Sequence, residues 1–426
     1  MDVEWWRNQS DGDTSRMYER YTAGGTTELV EEPNRHQSLG ANESVIMEKS
    51  SGVDYFSTLK RITNVGGLKF TNKAGKWDTI RLWIFPLILY TYAAIVLVRK
   101  WSFANDMEDI LYATGLGTCI PRITIARLHV SNFADVLDLL ENIDLSASPG
   151  REKLRASLKR ASTLVCKLSG PLVPASMLLI TAAWFFSSRD RPLPFITMPE
   201  WALNYSPLGC VLIQLCVYTV MAHEYVMVDG LKVCILLHLQ IHFRNLSLNI
   251  KNIVEQAREE SGANGIQSQC LKKNLVNVVC YHDFLLQIAE KVETIYNKCV
   301  LSSFINLSLF VCLTMYSMSL FPLLSIEFAI MVFYITIILL LFFVDCFFSQ
   351  QVMTESEEVA HSCYEIDFVG TDPKFQKALV MIMRTAQNSV KFTIGKFAPL
   401  SIVTGVVITK ASVSYFMLLQ NMKKIQ

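Results

Sequence analysis

The chain has 426 residues, of which 51% are hydrophobic and 18% charged, with a mean hydropathy of +0.30 and a formal net charge of +1. A soluble domain carries about 25% charged residues, so the apolar excess points to a membrane protein, and the near-neutral balance excludes nucleic acid as a partner. The seven histidines and eleven cysteines are scattered without a CxxC or regular spacing, so no disulfide framework, metal site or cofactor is expected. No nucleophile–base pair, glycine-rich phosphate loop or carboxylate dyad stands out, which argues against an enzyme.

Residues 1–55 are polar and rich in Glu, Ser, Gly and Asn. Such a segment cannot bury enough apolar surface to offset ordering entropy, so it reads as a disordered tail. It has no basic n-region followed by an apolar core, so no cleavable signal peptide is expected and the first spanning helix directs insertion. The stretch from Tyr55 to Lys76 mixes basic and apolar residues and is placed at the membrane surface.

Seven apolar blocks follow, each near the roughly 20 residues that a helix needs to cross a bilayer. Span one is Ile80 to Val98. Span two, Ile110 to about Val130, carries Gly115, Gly117 and Pro121, with Arg122 and Arg127 near its end. Span three is Leu172 to Phe186. Span four starts near Leu208, is apolar to Val228, and continues in helical pattern toward Leu248. Span five is Val300 to Leu320, span six Phe328 to Phe348 and span seven Phe397 to Leu419. Helical apolar spacing also recurs in Ile241–Ala257, Leu271–Tyr296 and Phe375–Phe392. These segments read as cytoplasmic extensions of spans four, five and seven that bury their apolar faces together as a subunit-assembly domain.

Lysine and arginine mark the cytoplasmic side. They concentrate before span one, between spans two and three, after span four and after span six. The amino terminus is therefore inside and, after seven spans, the carboxy terminus outside. The expected fold class is all-α: a polytopic membrane protein of seven transmembrane helices. Its divisions are a tail (1–55), membrane helices one to four (56–240), cytoplasmic helical extensions (241–299), membrane helices five and six (300–348), a cytoplasmic helical segment (349–396) and helix seven with its tail (397–426). A G-protein-coupled receptor has the opposite topology and wants Asp-Arg-Tyr after span three and Asn-Pro-x-x-Tyr in span seven; neither is present. A transporter would show paired broken helices or inverted repeats, and none is seen.

The closing residues carry a family signal. The run Phe392-Thr-Ile-Gly395-Lys396-Phe397, then Ser401, then Lys410-Ala-Ser412-Val-Ser414-Tyr415-Phe416-Met417-Leu418-Leu419, resembles the closing motif of insect odorant receptors. That motif reads Gly-Lys-Phe, then Ser-Tyr-Ser-Tyr-Phe-x-Leu-Leu. Val413 departs from the first Tyr, and Ile366-Asp367-Phe368 stands where many members have a Trp. The resemblance implies an odour-gated, nonselective cation channel in the plasma membrane of a sensory dendrite. It implies four subunits around a pore lined by the last helix. It also implies partnership between an odour-binding tuning subunit and a common coreceptor. The short loop after span four and the tail Leu418-Leu-Gln-Asn-Met422 fit the tuning subunit. A gustatory-type channel subunit is the nearest alternative, and its usual terminal Thr-Tyr-…-Gln-Phe motif is absent.

At about 100° per residue, Thr404, Ala411, Tyr415, Leu418 and Met422 share one stripe of span seven. Such a stripe suits a pore with a hydrophobic constriction that gates by dewetting, and family matching places the gate at Leu418 and Met422. Lys410 lies within the span, where an ionisable group is costly; Asp345 and Glu327 are its candidate partners. The resemblance puts the odour pocket in the outer half of spans two, three, four and six. Those positions include Tyr112 and Thr114, then Met177, Ile180 and Trp184, then Leu212 and Cys216, then Met331 and Tyr334. His238 and His242 have zinc-compatible spacing, but no catalytic Glu lies between them. Of the sequons at Asn8, Asn42 and Asn204, the inferred topology leaves only Asn204 open to glycosylation.

Overall fold

The computed structural model describes residues 54–65, 69–70, 77, 80, 83, 84, 87, 91, 120–143, 150–187, 204–261, 267–319, 322 and 325–425. The expected tail over residues 1–53 and most of span one lie outside that set, although positions 77, 80, 83, 84, 87 and 91 are helical.

The elements in chain order are α1 (Ser57–Val65), α2 (Val130–Glu141), α3 (Arg151–Ser187), α4 (Pro207–Lys251), α5 (Ile253–Ser261), α6 (Gln267–Met318), α7 (Ile326–Tyr364), α8 (Pro373–Ala386), β1 (Thr393–Ile394), β2 (Ala398–Pro399) and α9 (Ile402–Ile425). Residues 120–128 are also helical and lead through His129 into α2. Among the described residues the fold is all-α apart from one two-stranded hairpin.

Local sequence explains the helix starts. Ser206 accepts the Gly209 N–H at 3.1 Å with Pro207 in the first helical position. Ser325 caps α7 by accepting from Phe328 at 3.1 Å, and Asp372 caps α8 by accepting from Lys374 at 3.0 Å ahead of Pro373. A side-chain oxygen satisfies an orphan N–H there, and proline at N1 gives up no intrahelical bond. Inside the apolar helices, hydroxyls turn back on their own backbone. Ser303, Thr314, Thr336 and Thr409 each donate to the carbonyl four residues earlier, at 2.9, 2.7, 2.7 and 2.9 Å. A hydroxyl satisfied in this way can sit in hydrocarbon without a partner from another helix.

Three of the described helices are long and apolar enough to cross a membrane: Pro207–Lys251, Gln269–Tyr316 and Met331–Tyr364. At 1.5 Å per residue, the 45-residue α4 is about 68 Å long, more than twice a hydrocarbon core of about 30 Å. The excess projects beyond a bilayer's thickness, and much of the main core gathers around it. Leu59, Leu137, Leu158, Ile235, Leu239, Phe243, Leu246, Leu285, Ile288, Val292, Val352 and Ile382 belong to one buried cluster drawn from α1, α2, α3, α4, α6, α7 and α8.

The structure alters three boundaries. Tyr55, Phe56 and Leu59 are buried in that core, Phe56 stacking at 4.4 Å between ring centroids on His238, so the expected surface-lying segment begins inside the bundle. The extension of span four breaks at Asn252, between α4 and α5. Phe375–Phe392 does not run into span seven. α8 ends at Ala386 and α9 begins at Ile402 rather than Phe397, because Gly395 and Lys396 adopt φ of 58° and 63°, a left-handed conformation that no α-helix accommodates.

Candidate functional site

α9 packs one face against α6 and α7. Ser401, Gly405, Ile408 and Ser412 are buried on that face, and a Cβ built at Gly405 would lie 3.1 Å from the Phe343 ring and 3.3 Å from Cys346 Sγ. Glycine is what allows α7 and α9 to approach so closely. The opposite face is open: Val403, Val407, Lys410, Ser414 and Met417 are exposed. Thr404 is half-buried and Ala411 exposed, on the flank between the two faces. The side chains of Tyr415, Leu418 and Met422 lie outside the described set.

The sequence offered Asp345 as a partner for Lys410. The structure corrects this, because Asp345 is paired with the fully buried Lys232 and Lys410 is exposed. The Glu327 side chain is outside the described set.

Of the proposed pocket residues, Tyr112 and Thr114 lie outside the described residues. Ile180, Trp184 and Tyr334 lie on α3 and α7, with side chains that are also undescribed. Met177 is half-buried. Met331 is buried against Phe310. Leu212 is 54% exposed and Cys216 is exposed, whereas Cys210, Gln214, Val217 and Tyr218 form the inward side of α4 at that depth. The structure therefore brings Met331 into a packed cluster, and it sets Leu212 and Cys216 on the outer side of α4. Asn204 and Tyr205 are exposed just before α4.

Sequence reasoning missed a buried ionic network at the inner end of these helices. Lys232 reaches Asp229 at 2.7 Å and also pairs with Asp345 on α7. Asp229 pairs in turn with Arg122, whose guanidinium lies 4.1 Å above the Tyr225 ring. Arg127 binds Glu224 at 2.8 Å. Arg122, Arg127 and Lys232 thus face Glu224, Asp229 and Asp345, all of them buried. Matching every charge is what makes such burial tolerable. Asp229 and Lys232, three apart in an apolar run, were the available signal.

His238 and His242 each have a side-chain partner on another helix. His238 Nε2 is 2.8 Å from Ser162 Oγ, and His242 Nδ1 is 2.7 Å from the Tyr281 hydroxyl. Among the described residues no group of three or more His, Cys, Asp or Glu could hold a metal ion.

The architecture has counterparts among solved structures. The insect olfactory receptor OR5 from Machilis hrabei in complex with eugenol superposes with a TM-score of 0.70 at 14% identity, covering 87% of this chain and 100% of that one. The same receptor in a second structure gives 0.68 at 14% identity, covering 86% and 99%. These likenesses concern the fold. Among Drosophila melanogaster proteins, Odorant receptor 67a is 28% identical over 158 residues, 37% of each chain. Putative odorant receptor 92a is 24% identical over 198 residues, 46% of each. Odorant receptor 82a is 24% identical over 283 residues, 64% of this chain and 69% of the relative. The matched part thus spans less than half of the first two relatives. The family model described as 7tm Odorant receptor matches residues 103–413, well over half of the sequence. The chain belongs to the 7tm odorant receptor family.

Proposed function

We propose that this chain is the odour-binding subunit of an odour-gated, nonselective cation channel in the plasma membrane of a sensory dendrite. It assembles with a coreceptor subunit through α9, of which one face is committed to α6 and α7 while the other is open.

 The open face of α9 is exposed among the described residues and is where the coreceptor is met. The open face is the observation that carries the reading. A pore helix must pack on its own subunit with one side and leave the other to face its counterparts around the axis. By helical register Thr404, Ala411, Tyr415, Leu418 and Met422 share one stripe, of which Thr404 and Ala411 flank that open face, and bulky residues at its outer end suit a constriction that closes by dewetting.

The pocket is assigned to the outer half of the membrane helices, with Tyr112, Thr114, Met177, Ile180, Trp184, Leu212, Cys216, Met331 and Tyr334 as candidate contacts. Apolar walls and a few aromatics suit small volatile molecules, which bind through shape and dispersion. The eugenol complex of the Machilis hrabei receptor supports a ligand of this size class. The amino terminus is placed in the cytoplasm, with Asn204 on the outside.

The test is current recording from cells that express the chain with and without a coreceptor, against an odour panel that includes eugenol. Odour-evoked cation current only in the presence of this chain is expected. A response that needs G-protein signalling, or glycans on Asn8 or Asn42, overturns the reading. Leu418→Ala should raise the unliganded current at equal surface expression, and an unchanged current removes Leu418 from the gate.

A further inference from the structure

The Phe392–Phe397 motif forms a structural joint between α8 and α9. Thr393 pairs with Pro399 and Ile394 with Ala398, the Phe397 N–H donates to the Ile394 carbonyl at 3.0 Å, and the Leu400 N–H donates to the Phe392 carbonyl at 2.7 Å. The reversal uses the left-handed Gly395 and Lys396. A Cβ at Gly395 would meet both methyl carbons of Leu301 on α6 at 2.9 Å, so the turn is pressed onto that helix.

Side chains from two helices hold this joint. On the α6 side, Glu293 accepts the Thr393 N–H at 2.9 Å with one carboxylate oxygen and the Thr393 hydroxyl with the other. Phe392 is buried beside Tyr296, with ring centroids 5.9 Å apart. On the α7 side, Ser356 Oγ accepts the Val390 N–H at 3.0 Å, and Gln350 Oε1 accepts the Ile402 N–H at 3.1 Å, at the first residue of α9. The joint is thus tied to α7 at Val390, to α6 at Thr393 and to α7 again at Ile402. A shift of α6 against α7 therefore bears on the segment that leads into α9.

We propose that Glu293, through its two hydrogen bonds to Thr393, is a positioning residue that sets the pore helix against α6 and so sets the balance between closed and open channel. This deepens the channel reading and rests on it. The bond to a carboxylate is stronger than a neutral one, and Thr393 gives both of its donors to one side chain. Glu293 is half-buried, so the contact is partly shielded from water. No odour contact is involved, so the effect must be the same for every odour.

The experiment compares the full-length wild type with Thr393→Val, Thr393→Ser and Glu293→Ala, each expressed with the coreceptor. Surface protein, unliganded current per surface protein and half-maximal concentrations for two or more active odours are measured. Hydrogen exchange over residues 388–405 is followed on the purified chain. Thr393→Val and Glu293→Ala are expected to speed exchange in the hairpin and the first turn of α9. They should change unliganded current roughly tenfold, the scale of one charge-assisted hydrogen bond, and shift every odour's half-maximal concentration by a common factor. Thr393→Ser should restore wild-type behaviour. Unchanged exchange overturns the clamp, whatever the currents do. Faster exchange with unchanged current per surface protein makes it a mere structural staple and also overturns the proposal. A wild type that carries no odour-evoked current removes the channel reading, and the proposed role falls with it, while the exchange data still report on the contact itself.

Discussion

The two halves of α4 differ in how they are surrounded. In the outer half, Leu208, Leu212 and Ile213 are exposed while Cys210, Gln214 and Val217 face inward, a one-sided pattern. From Met227 to Leu236 every residue is buried, with α3, α6 and α7 packed around the helix. A helix in lipid can leave apolar side chains on its surface at no cost, because hydrocarbon is as good a neighbour as protein. A helix surrounded by water must cover them. The outer half is therefore free to vary the shape of a binding cavity, whereas the inner half is bound by close packing on every side.

The largest effect is expected at the boundary between the halves. Lys232→Met leaves Asp229 and Asp345 buried without their shared cation, and breaking a buried pair costs about 3–5 kcal/mol. Surface expression should collapse. Asp345 is the stranded charge, because Asp229 keeps Arg122, and adding Asp345→Leu should recover part of the expression. Normal surface levels for Lys232→Met, measured by surface labelling, would mean that the network is not closed to water.

Next comes the packing contrast itself. Phe243→Ala removes a fully buried ring from the inner half and should cost about 3–5 kcal/mol. Leu212→Ala, on the exposed side of the outer half, should stay within about 0.5 kcal/mol. Thermal unfolding of the purified protein measures both, and equal losses would erase the distinction between the halves.

Much of this contrast was legible in the sequence and part was not. The continuity of α4 through Leu248 followed from apolar spacing that outlasts a bilayer, and the structure carries the helix to Lys251. The ionic network was hidden because Lys232 and Asp345 are 113 residues apart and periodicity says nothing of which helices meet. The hairpin was hidden for a different reason. Phe392 to Phe397 was read for family likeness, and a positive φ at Lys396 has no sequence signature. The pocket residues followed from resemblance alone, so their depth was specified better than their direction, and Leu212 and Cys216 fall on the outer side.

Acid sharpens the same comparison. Burial pushes His238 and His242 down to about 3 and His282 to about 4, from an ordinary 6.5. His238 and His242 belong to the inner half of α4, and His282 lies on α6, which packs against α4. Below 6.5 the unfolded chain takes up protons that the folded chain refuses, so stability is full above 6.5 and falls as pH drops toward those values. About one pH unit below the ordinary value each group costs on the order of 1 kcal/mol. Glu141, pushed up to about 7 by burial, acts in the opposite direction over part of this range, so Glu141→Gln is the background for the measurement. The inner half should lose hydrogen-exchange protection first. Loss beginning in the outer half would show that these histidines do not set the acid limit.

The smallest effect belongs to the outer half. Trp184→Phe and Tyr334→Phe keep an aromatic ring and remove only the indole's extra ring and one hydroxyl. Complete truncation of a buried aromatic costs about 3–5 kcal/mol and would confound binding with folding, so the conservative changes are the informative ones. Surface expression should hold. If both residues line the pocket, the half-maximal concentration should shift for some odours and not for others, because each odour presses on a different part of the wall. A loss of one hydrogen bond or a few dispersion contacts is worth about 0.5–1.5 kcal/mol, roughly a threefold to tenfold shift. Dose–response curves for several odours at matched surface protein measure it. An equal shift for every odour would place these residues with the gating joint at Thr393, and no shift at all would leave them as membrane packing, with the pocket elsewhere among the outer helices.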